Sequence, residues 1–150
     1  METFLGMFTT VISGVLVFVC SQFISEFYIK SKERYNNLIG KIGFTLANRA
    51  CYYANPLDMS GNPTEDKKLF YKEISGEARE MAAEINAFVS TRPKYMRHRI
   101  SNDEFMDIKS SFIGISNRLF FQAGIYGGDY GVHNGNEIEN IKRLLGKNVR

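Results

Sequence analysis

An uninterrupted apolar run opens the chain. No charged residue occurs between Thr3 and Ser25, and a helix over this run is about 35 Å long at ~1.5 Å rise per residue. That length crosses a hydrocarbon core of ~30 Å, so the run predicts a transmembrane helix over residues 3–27. A secretory signal peptide would begin with positive charge and have a shorter apolar region. Here the first charge is Glu2, and the pattern favours a membrane anchor.

The helical period continues beyond the apolar run. Apolar residues recur every three or four positions as far as Ala54, and no proline occurs before Pro56. The buried stripe is expected to include Tyr35, Leu38, Ile42, Leu46 and Tyr53. The pattern predicts one long helix from about Glu2 to Ala54, in which the span becomes the first helix of a domain over residues 28–150.

Two further helices have clear start signals. Thr64 is a suitable N-cap for a helix to about residue 90. Ser101 and Glu104 have the spacing of a capping box, which opens another helix. Their predicted buried positions are Phe70, Ile74, Ala78, Met81, Ile85 and Phe88 in the first, and Phe105, Ile108, Phe112, Ile115 and Leu119 in the second. Both stripes have the helical period.

The last helix follows a glycine-rich segment. Residues 124–135 contain five glycines and predict an irregular segment, with His133 in a solvent-facing loop. Asn136 then caps a helix with Ile138, Ile141 and Leu144 on its buried face. No run has the strand period. The predicted fold class is all-α, with a single N-terminal transmembrane helix continuous with a small cytoplasmic bundle of about four helices.

Charge predicts an orientation for the span. The net charge is only +3, but Lys30, Lys32 and Arg34 follow the apolar run at once. The positive-inside rule places the domain in the cytoplasm and the N-terminus outside. A basic extramembrane part suits contact with anionic lipid, RNA or other phosphates.

Cysteine usage argues against a bound metal. Cys20 and Cys51 have no Cys or His neighbour at metal-ligand spacing, and we expect both to be buried free thiols. No cofactor motif stands out, so neither a metal nor a cofactor is expected.

Small and hydroxylated residues recur along the predicted span. Thr10, Gly14, Ser21 and Ser25 lie four, seven and four positions apart, close to a heptad seam. Such residues let helices approach closely and bond to one another. One interpretation is a homo-oligomeric bundle in which this face packs or lines a pore. The alternative is a monomeric anchor that is rich in Ser and Thr.

The basic turn over residues 92–99 is the strongest candidate for chemistry. Arg92 and His98 could cleave RNA, because a histidine near its neutral pKa can move the 2′-hydroxyl proton while an arginine stabilises the phosphate. Phosphate or RNA binding would add Lys94, Arg97 and Arg99. Two alternatives stay open, namely RNA or phosphate binding without cleavage and an exposed basic loop. Pro93 interrupts a regular helical motif.

The segment from Ile113 to Leu119 predicts packing between helices. Gly114 would permit close helix contact, and Ser116 with Asn117 would bond across to another helix or a neighbouring subunit. Arg118 is a possible partner for a carboxylate of the helix that follows Thr64.

The layout resembles a known family. A single span runs into a long helix ending at Ala54-Asn55-Pro56. A helix containing residues 77–84 follows, then the turn from Arg92 to His98, then the segment 113–119. This resembles the small membrane accessory proteins encoded beside the RNA-guided effector of type VI-B CRISPR systems. The resemblance rests on layout and short motifs.

That resemblance implies a bacterial inner-membrane protein with a divergent HEPN-like helical domain. It implies that copies assemble as a ring around a pore and compromise the membrane after the RNA-guided effector has found phage transcripts. The family's Arg-x4–6-His motif would map onto Arg92 and His98, although vestigial chemistry is expected and an enzyme is not favoured. Implied partners are the chain itself, the lipid bilayer, and RNA or the RNA-guided effector. The alternatives are a membrane-tethered ribonuclease or RNA-binding module, and a non-catalytic anchor or scaffold.

Overall fold

The computed structural model describes residues 2–93, 99–121 and 129–146, and it is almost entirely helical. The elements are α1 (Glu2–Ile24), a π-helical segment (Ser25–Ile29), α2 (Lys30–Ala54), β1 (Leu57–Asp58), α3 (Glu65–Thr91), α4 (Asn102–Arg118), β2 (Phe120–Phe121) and α5 (Tyr130–Gly146). The predicted all-α class and the continuous helix from Glu2 to Ala54 are confirmed. The chain divides into two compact units, residues 1–37 and 38–150.

The long N-terminal helix is regular except at one place. Residues Ser25–Ile29 form a π-helical turn, and the backbone N–H of Lys30 donates to the Ser25 carbonyl. Such a turn holds one more residue than an α-helical turn. The sequence pattern did not predict it. The helix containing Gly6–Ala54 is long and apolar enough to cross a membrane.

The core of the 38–150 unit is built from the predicted stripes. Ile42, Ile74, Phe105 and Phe112 are all fully buried. The other residues of the predicted stripes that have little or no exposure include Leu38, Leu46, Tyr53, Ala78, Met81, Ile85, Ile108, Ile115, Leu119, Ile138, Ile141 and Leu144. Phe70 and Phe88 are half-buried instead. The helical period therefore located most of the core.

Local capping explains where α4 begins. The Ser101 hydroxyl accepts from the Glu104 backbone N–H at 3.2 Å, and the Glu104 carboxylate accepts from the Ser101 N–H at 2.9 Å. Two N–H groups that lack a partner within the helix are satisfied in this way. The predicted capping box is confirmed. Thr64 also occupies the N-cap of α3, but its side chain makes no capping hydrogen bond.

Two short strands join segments that are distant in sequence. β1 and β2 pair in parallel, with Leu57 opposite Phe120 and Asp58 opposite Phe121. The Leu57 N–H donates to the Leu119 carbonyl at 2.8 Å. Because the strands lie just before α3 and just after α4, they close the base of the α3–α4 hairpin.

The start of α5 corrects the sequence prediction. The helix begins at Tyr130, so His133 is helical and exposed rather than in a loop, and Asn136 is not its cap. Asp129 takes that role, because its carboxylate accepts from the Val132 N–H at 3.1 Å. Gly131 and Gly135 are both helical. The glycine count alone predicted irregular structure too far along the chain.

Candidate functional site

The surface of α1 is apolar and open. Its large side chains are mostly exposed within the chain, for example Val11 at 65% and Phe18 at 64%. In water this surface would be costly, at about 25 cal/mol per Å² of apolar area. The exposure is what a membrane-facing helix requires.

Two hydroxyl side chains of the predicted small polar face bond within α1. The Thr10 hydroxyl donates to the Gly6 carbonyl at 2.9 Å, and the Ser21 hydroxyl donates to the Val17 carbonyl at 2.7 Å. Gly14 has open space where a side chain would project. Ser25 begins the π-helical segment and is half-buried. Since the hydroxyl protons of Thr10 and Ser21 are already bonded, these two side chains carry little unsatisfied polarity into an apolar solvent.

The basic turn is described only in part. Arg92 caps the C-terminus of α3, and its backbone N–H donates to the Phe88 carbonyl at 2.9 Å. Its guanidinium Nη1 donates to the Ile100 carbonyl at 3.2 Å, which ties the two ends of the turn together. Arg99 is exposed. Lys94, Arg97 and His98 lie outside the described residues, so the pairing of Arg92 with His98 stays a prediction.

A polar network joins α3 to α4. The Ser75 and Ser116 hydroxyls lie 2.8 Å apart and both are buried. Arg79 donates from Nε to the Ser116 hydroxyl at 2.9 Å and from Nη2 to the Asn117 side-chain oxygen at 3.2 Å. The prediction that Ser116 and Asn117 bond to another helix is confirmed. Lys109 of α4 donates to the Asn86 side-chain oxygen of α3 at 2.9 Å, so residues further along α3 meet residues earlier in α4 and the two helices run antiparallel.

Arg118 has a different partner from the one predicted. Its guanidinium pairs with Glu137 of α5 at 2.8 Å and donates to the Asn134 side-chain oxygen at 3.0 Å. The predicted pairing with a carboxylate of α3 is wrong. Gly114 gives space to this guanidinium, because a Cβ there would lie 2.7 Å from Arg118 Nη2. Gly114 therefore accommodates a neighbour on its own helix rather than a second helix.

Asn134 is a buried junction that the sequence analysis missed. It is fully buried, accepts from Arg118, and donates to the Tyr53 carbonyl at 2.9 Å. That carbonyl is one of the last in α2, which have no partner within the helix. Extending the stripe of Ile138 and Ile141 back by one turn reaches Asn134. Because Asn134 is polar, it does not continue the apolar pattern from which the buried face was predicted.

Tyr53 carries a buried hydroxyl beside this junction. The hydroxyl finds no hydrogen-bond partner in the part of the chain that the structure describes. Burial is the main cause that raises its pKa to about 12. Tyr71 differs, since its hydroxyl donates to the Asn55 carbonyl at 2.7 Å.

We therefore expect Tyr53→Phe to stabilise the protein. Removing an unsatisfied buried hydroxyl should raise the free energy of unfolding by about 1 kcal/mol. Tyr71→Phe is the matched control and should lower it by about the same amount, because a satisfied hydrogen bond is lost. Urea unfolding of the detergent-purified chain, followed by circular dichroism, measures both. A destabilised Tyr53→Phe variant would show that the hydroxyl has a stabilising partner.

The same hydroxyl predicts a loss of stability at high pH. An unfolded tyrosine ionises near pH ~10, whereas Tyr53 in the folded state ionises only at about 12. Between these values the unfolded state holds fewer protons, so stability falls as pH rises. Tyr71 acts in the same direction, because burial raises its pKa as well. Tyr53→Phe should make the decline shallower.

A groove lies between α2 and α3, and both cations in its lining are paired with carboxylates. It has a volume of about 520 Å³ and includes Phe44, Asn48 and Tyr52 in its lining. Arg49 clamps Glu77 through two hydrogen bonds of 2.7 and 2.6 Å, and this bonding raises the pKa of Arg49. Lys41 pairs with Glu84. Two closed ion pairs make this a helix clamp rather than a reactive site.

Both cysteines are more accessible than the sequence predicted. Cys20 and Cys51 are both exposed within the chain, which corrects the prediction that they are buried. No group of three or more His, Cys, Asp or Glu side chains is placed to hold a metal ion within the described ranges.

Comparisons with known proteins place the chain in no family. No family model matches the sequence, and neither a curated protein nor a solved structure matches it.

Proposed function

We propose that the chain is a single-pass protein of the bacterial inner membrane whose span self-associates into a ring. Its domain faces the cytoplasm, and the assembly compromises the membrane to enhance RNA-targeting type VI-B CRISPR immunity. One observation carries the proposal. Helix α1 has no charged residue after Glu2 and exposes its apolar side chains, while the hydroxyls of Thr10 and Ser21 are bonded within the helix.

Membrane insertion is supported by length, polarity and flanking charge. Every backbone group within a spanning helix bonds inside the helix, as a hydrocarbon solvent requires. Lys30, Lys32 and Arg34 follow the apolar run, and all three are exposed. Their position supports a cytoplasmic location for the domain.

Self-association is supported by the shape of one face. Gly14 leaves open space, and Thr10, Ser21 and Ser25 add little bulk beside it. In lipid, helices associate through close packing of small residues rather than through a hydrophobic effect. The hydroxyl oxygens keep acceptor lone pairs after donating, so a neighbouring helix or water can still bond to them.

The role in defence rests on the resemblance in layout to the type VI-B accessory proteins. A ring that opens a path through the bilayer would use the small polar face as its lining. A plain anchor or scaffold would need the same span but would not depend on the small polar face. The two functions are therefore distinguished by substitutions on the face.

The first test is fractionation and crosslinking in bacterial membranes. We expect the chain to stay in the membrane pellet after an alkaline carbonate wash and to form crosslinked oligomers. Gly14→Leu and Ser21→Leu should lose most of the oligomer, because added bulk separates the helices. Val19→Leu is the control, since Val19 lies about 140° around the helix from Gly14. Recovery in the supernatant would contradict membrane insertion, and intact oligomers in both face variants would contradict the seam.

The second test addresses membrane damage. Cells carrying the RNA-guided effector and its target transcript should lose membrane potential when the wild-type chain is present and keep it when the chain is absent. Gly14→Leu should restore the potential while Val19→Leu does not. Membrane potential that is unaffected by the wild-type chain would support an anchor or scaffold instead.

A further inference from the structure

A groove on the 38–150 unit has an unusual polar lining. It lies between α3 and α4, has a volume of about 420 Å³, and has four polar side chains in its lining: Arg79, Asn86, Lys109 and Asn117. Its apolar part is formed by Ala82, Ala83 and Ile113. No carboxylate lines it among the described residues. We call it the donor groove.

The polar side chains form two clusters. Arg79 donates to the Asn117 side-chain oxygen at 3.2 Å, and Lys109 donates to the Asn86 side-chain oxygen at 2.9 Å. Each bond uses one of the two lone pairs of the amide oxygen. Most of the hydrogen-bonding capacity that remains is on the two cations and the two amide NH2 groups, which are donors.

The two positive charges are not neutralised. Within the described ranges, neither Arg79 nor Lys109 pairs with a carboxylate. Arg79 is held instead by the hydroxyl of Ser116 at 2.9 Å. Elsewhere in the same unit, Arg49 and Arg118 each have a carboxylate partner. The donor groove therefore combines fixed N–H groups with uncompensated charge.

The clusters are separated along the helices. Arg79 and Asn86 are seven positions apart on α3, which corresponds to about 10 Å along the axis. Because α4 runs antiparallel, Asn117 lies beside Arg79 and Lys109 lies beside Asn86. Between them is the apolar floor, where Ile113 is 38% exposed. A ligand would therefore meet positive charge at both ends and apolar surface in the middle.

We propose that the donor groove binds a small ligand carrying two or more phosphoryl groups, such as a nucleoside diphosphate or a polyphosphate. Phosphoryl oxygens are acceptors with negative charge, which matches a lining that has two cations and mostly donor groups. The volume is within the range of small-molecule sites, roughly 300–1,000 Å³. Single-stranded RNA fits less well, because no aromatic side chain among the described residues lines the groove for base stacking.

Binding is tested on the full-length chain in a non-ionic detergent. Isothermal titration would use tripolyphosphate, a nucleoside diphosphate and a single-stranded RNA as probes. Nanodiscs containing a bisphosphorylated lipid would distinguish a headgroup from a free ligand. Lys109→Gln is the main variant, since Lys109 contacts only a neutral amide, and Ala83→Glu adds a carboxylate at an exposed floor position. Arg143→Gln is the control, because Arg143 donates to an asparagine outside the groove.

We expect the wild-type chain to bind tripolyphosphate or the nucleoside diphosphate. Lys109→Gln and Ala83→Glu should each weaken binding by about tenfold or more, which equals ~1.4 kcal/mol. Lys109→Arg should bind nearly as well as wild type, and Arg143→Gln should be unchanged. Lys109-dependent binding that is seen only with the lipid would support the same phosphate chemistry and identify the headgroup as its source.

Three results would overturn the proposal. They are an absence of binding by the wild-type chain to every phosphorylated probe, equal binding by wild type, Lys109→Gln and Ala83→Glu, and binding restricted to single-stranded RNA. Thermal unfolding of each variant checks that the domain is folded. Because the site is separate from α1, failure here leaves the membrane proposal intact.

Discussion

Phe112→Asp is expected to unfold the 38–150 unit. Phe112 is fully buried on α4, so the variant places a carboxylate in the core and removes a large aromatic side chain. Loss of the ring alone costs about 3–5 kcal/mol, and an unpaired buried charge adds to it. Small domains have a total stability of about 5–15 kcal/mol, so the sum is close to complete unfolding.

The adjacent residue supplies the control. Ile113 is 38% exposed, and Ile113→Asp should change stability by about 1 kcal/mol or less, because its carboxylate reaches water. Circular dichroism with thermal unfolding of the detergent-purified variants measures the difference. Equal melting of Phe112→Asp and wild type would contradict the assignment of the buried face of α4. Ile74→Asp should behave as Phe112→Asp, since Ile74 is also fully buried.

Gly131→Ala is expected to weaken the contact between α5 and the end of α2. A Cβ at Gly131 would lie 2.7 Å from the Ala54 carbonyl oxygen and 3.3 Å from an Asp129 carboxylate oxygen. The first atom belongs to the backbone and cannot rotate away, so the helices must shift. Overpacking of this kind costs about 1–3 kcal/mol.

Gly135→Ala should have the opposite effect. Among the described residues, no atom other than those of its chain neighbours and its own helix backbone lies within 4 Å of the position that its Cβ would take, and alanine favours a helix over glycine by about 1 kcal/mol. Urea unfolding of both variants shows directly whether each substitution raises or lowers the free energy of unfolding. If Gly131→Ala stabilises the protein as much as Gly135→Ala does, the first turn of α5 does not press on the Ala54 carbonyl.

The parts of this fold that the sequence predicts are those set by local chemistry. Ser101 and Glu104 complete their hydrogen bonds within one helical turn, so their spacing is sufficient to place the start of α4. The buried faces of α3 and α4 follow from a period of apolar residues, because each face has to leave water. These features need no knowledge of distant partners.

The parts that were missed depend on contacts distant in sequence. The sequence suggested a carboxylate of α3 as the partner of Arg118. Packing of the helices brings Glu137 of α5 to Arg118 instead. Asn134 is buried because the end of α2 offers it a free carbonyl, and no pattern around Asn134 indicates this. The strand pair of Leu57 with Phe120 likewise consists of backbone hydrogen bonds, which carry almost no side-chain signature.

The donor groove shows the same limit at a candidate site. The basic turn can be recognised in the sequence because its charges are adjacent. Arg79 and Lys109 lie on different helices, and neither is part of a basic cluster in the sequence. Only the antiparallel packing of α3 and α4 brings them to one groove. The spacing of Thr10, Gly14 and Ser21 can be read from the sequence, but the hydrogen bonds of Thr10 and Ser21 to carbonyls of their own helix are known only from the structure.

The strand pair at the base of the α3–α4 hairpin makes that hairpin tolerant of insertion. Leu57 and Phe120 close a loop of roughly 60 residues, and even a doubling of its length costs only ~0.6 kcal/mol of closure entropy. A reporter peptide placed in the connection between α3 and α4 should therefore leave the rest of the domain folded. That connection offers a position for an epitope or fluorophore with which to test whether the domain lies on the cytoplasmic side, as the proposed function requires.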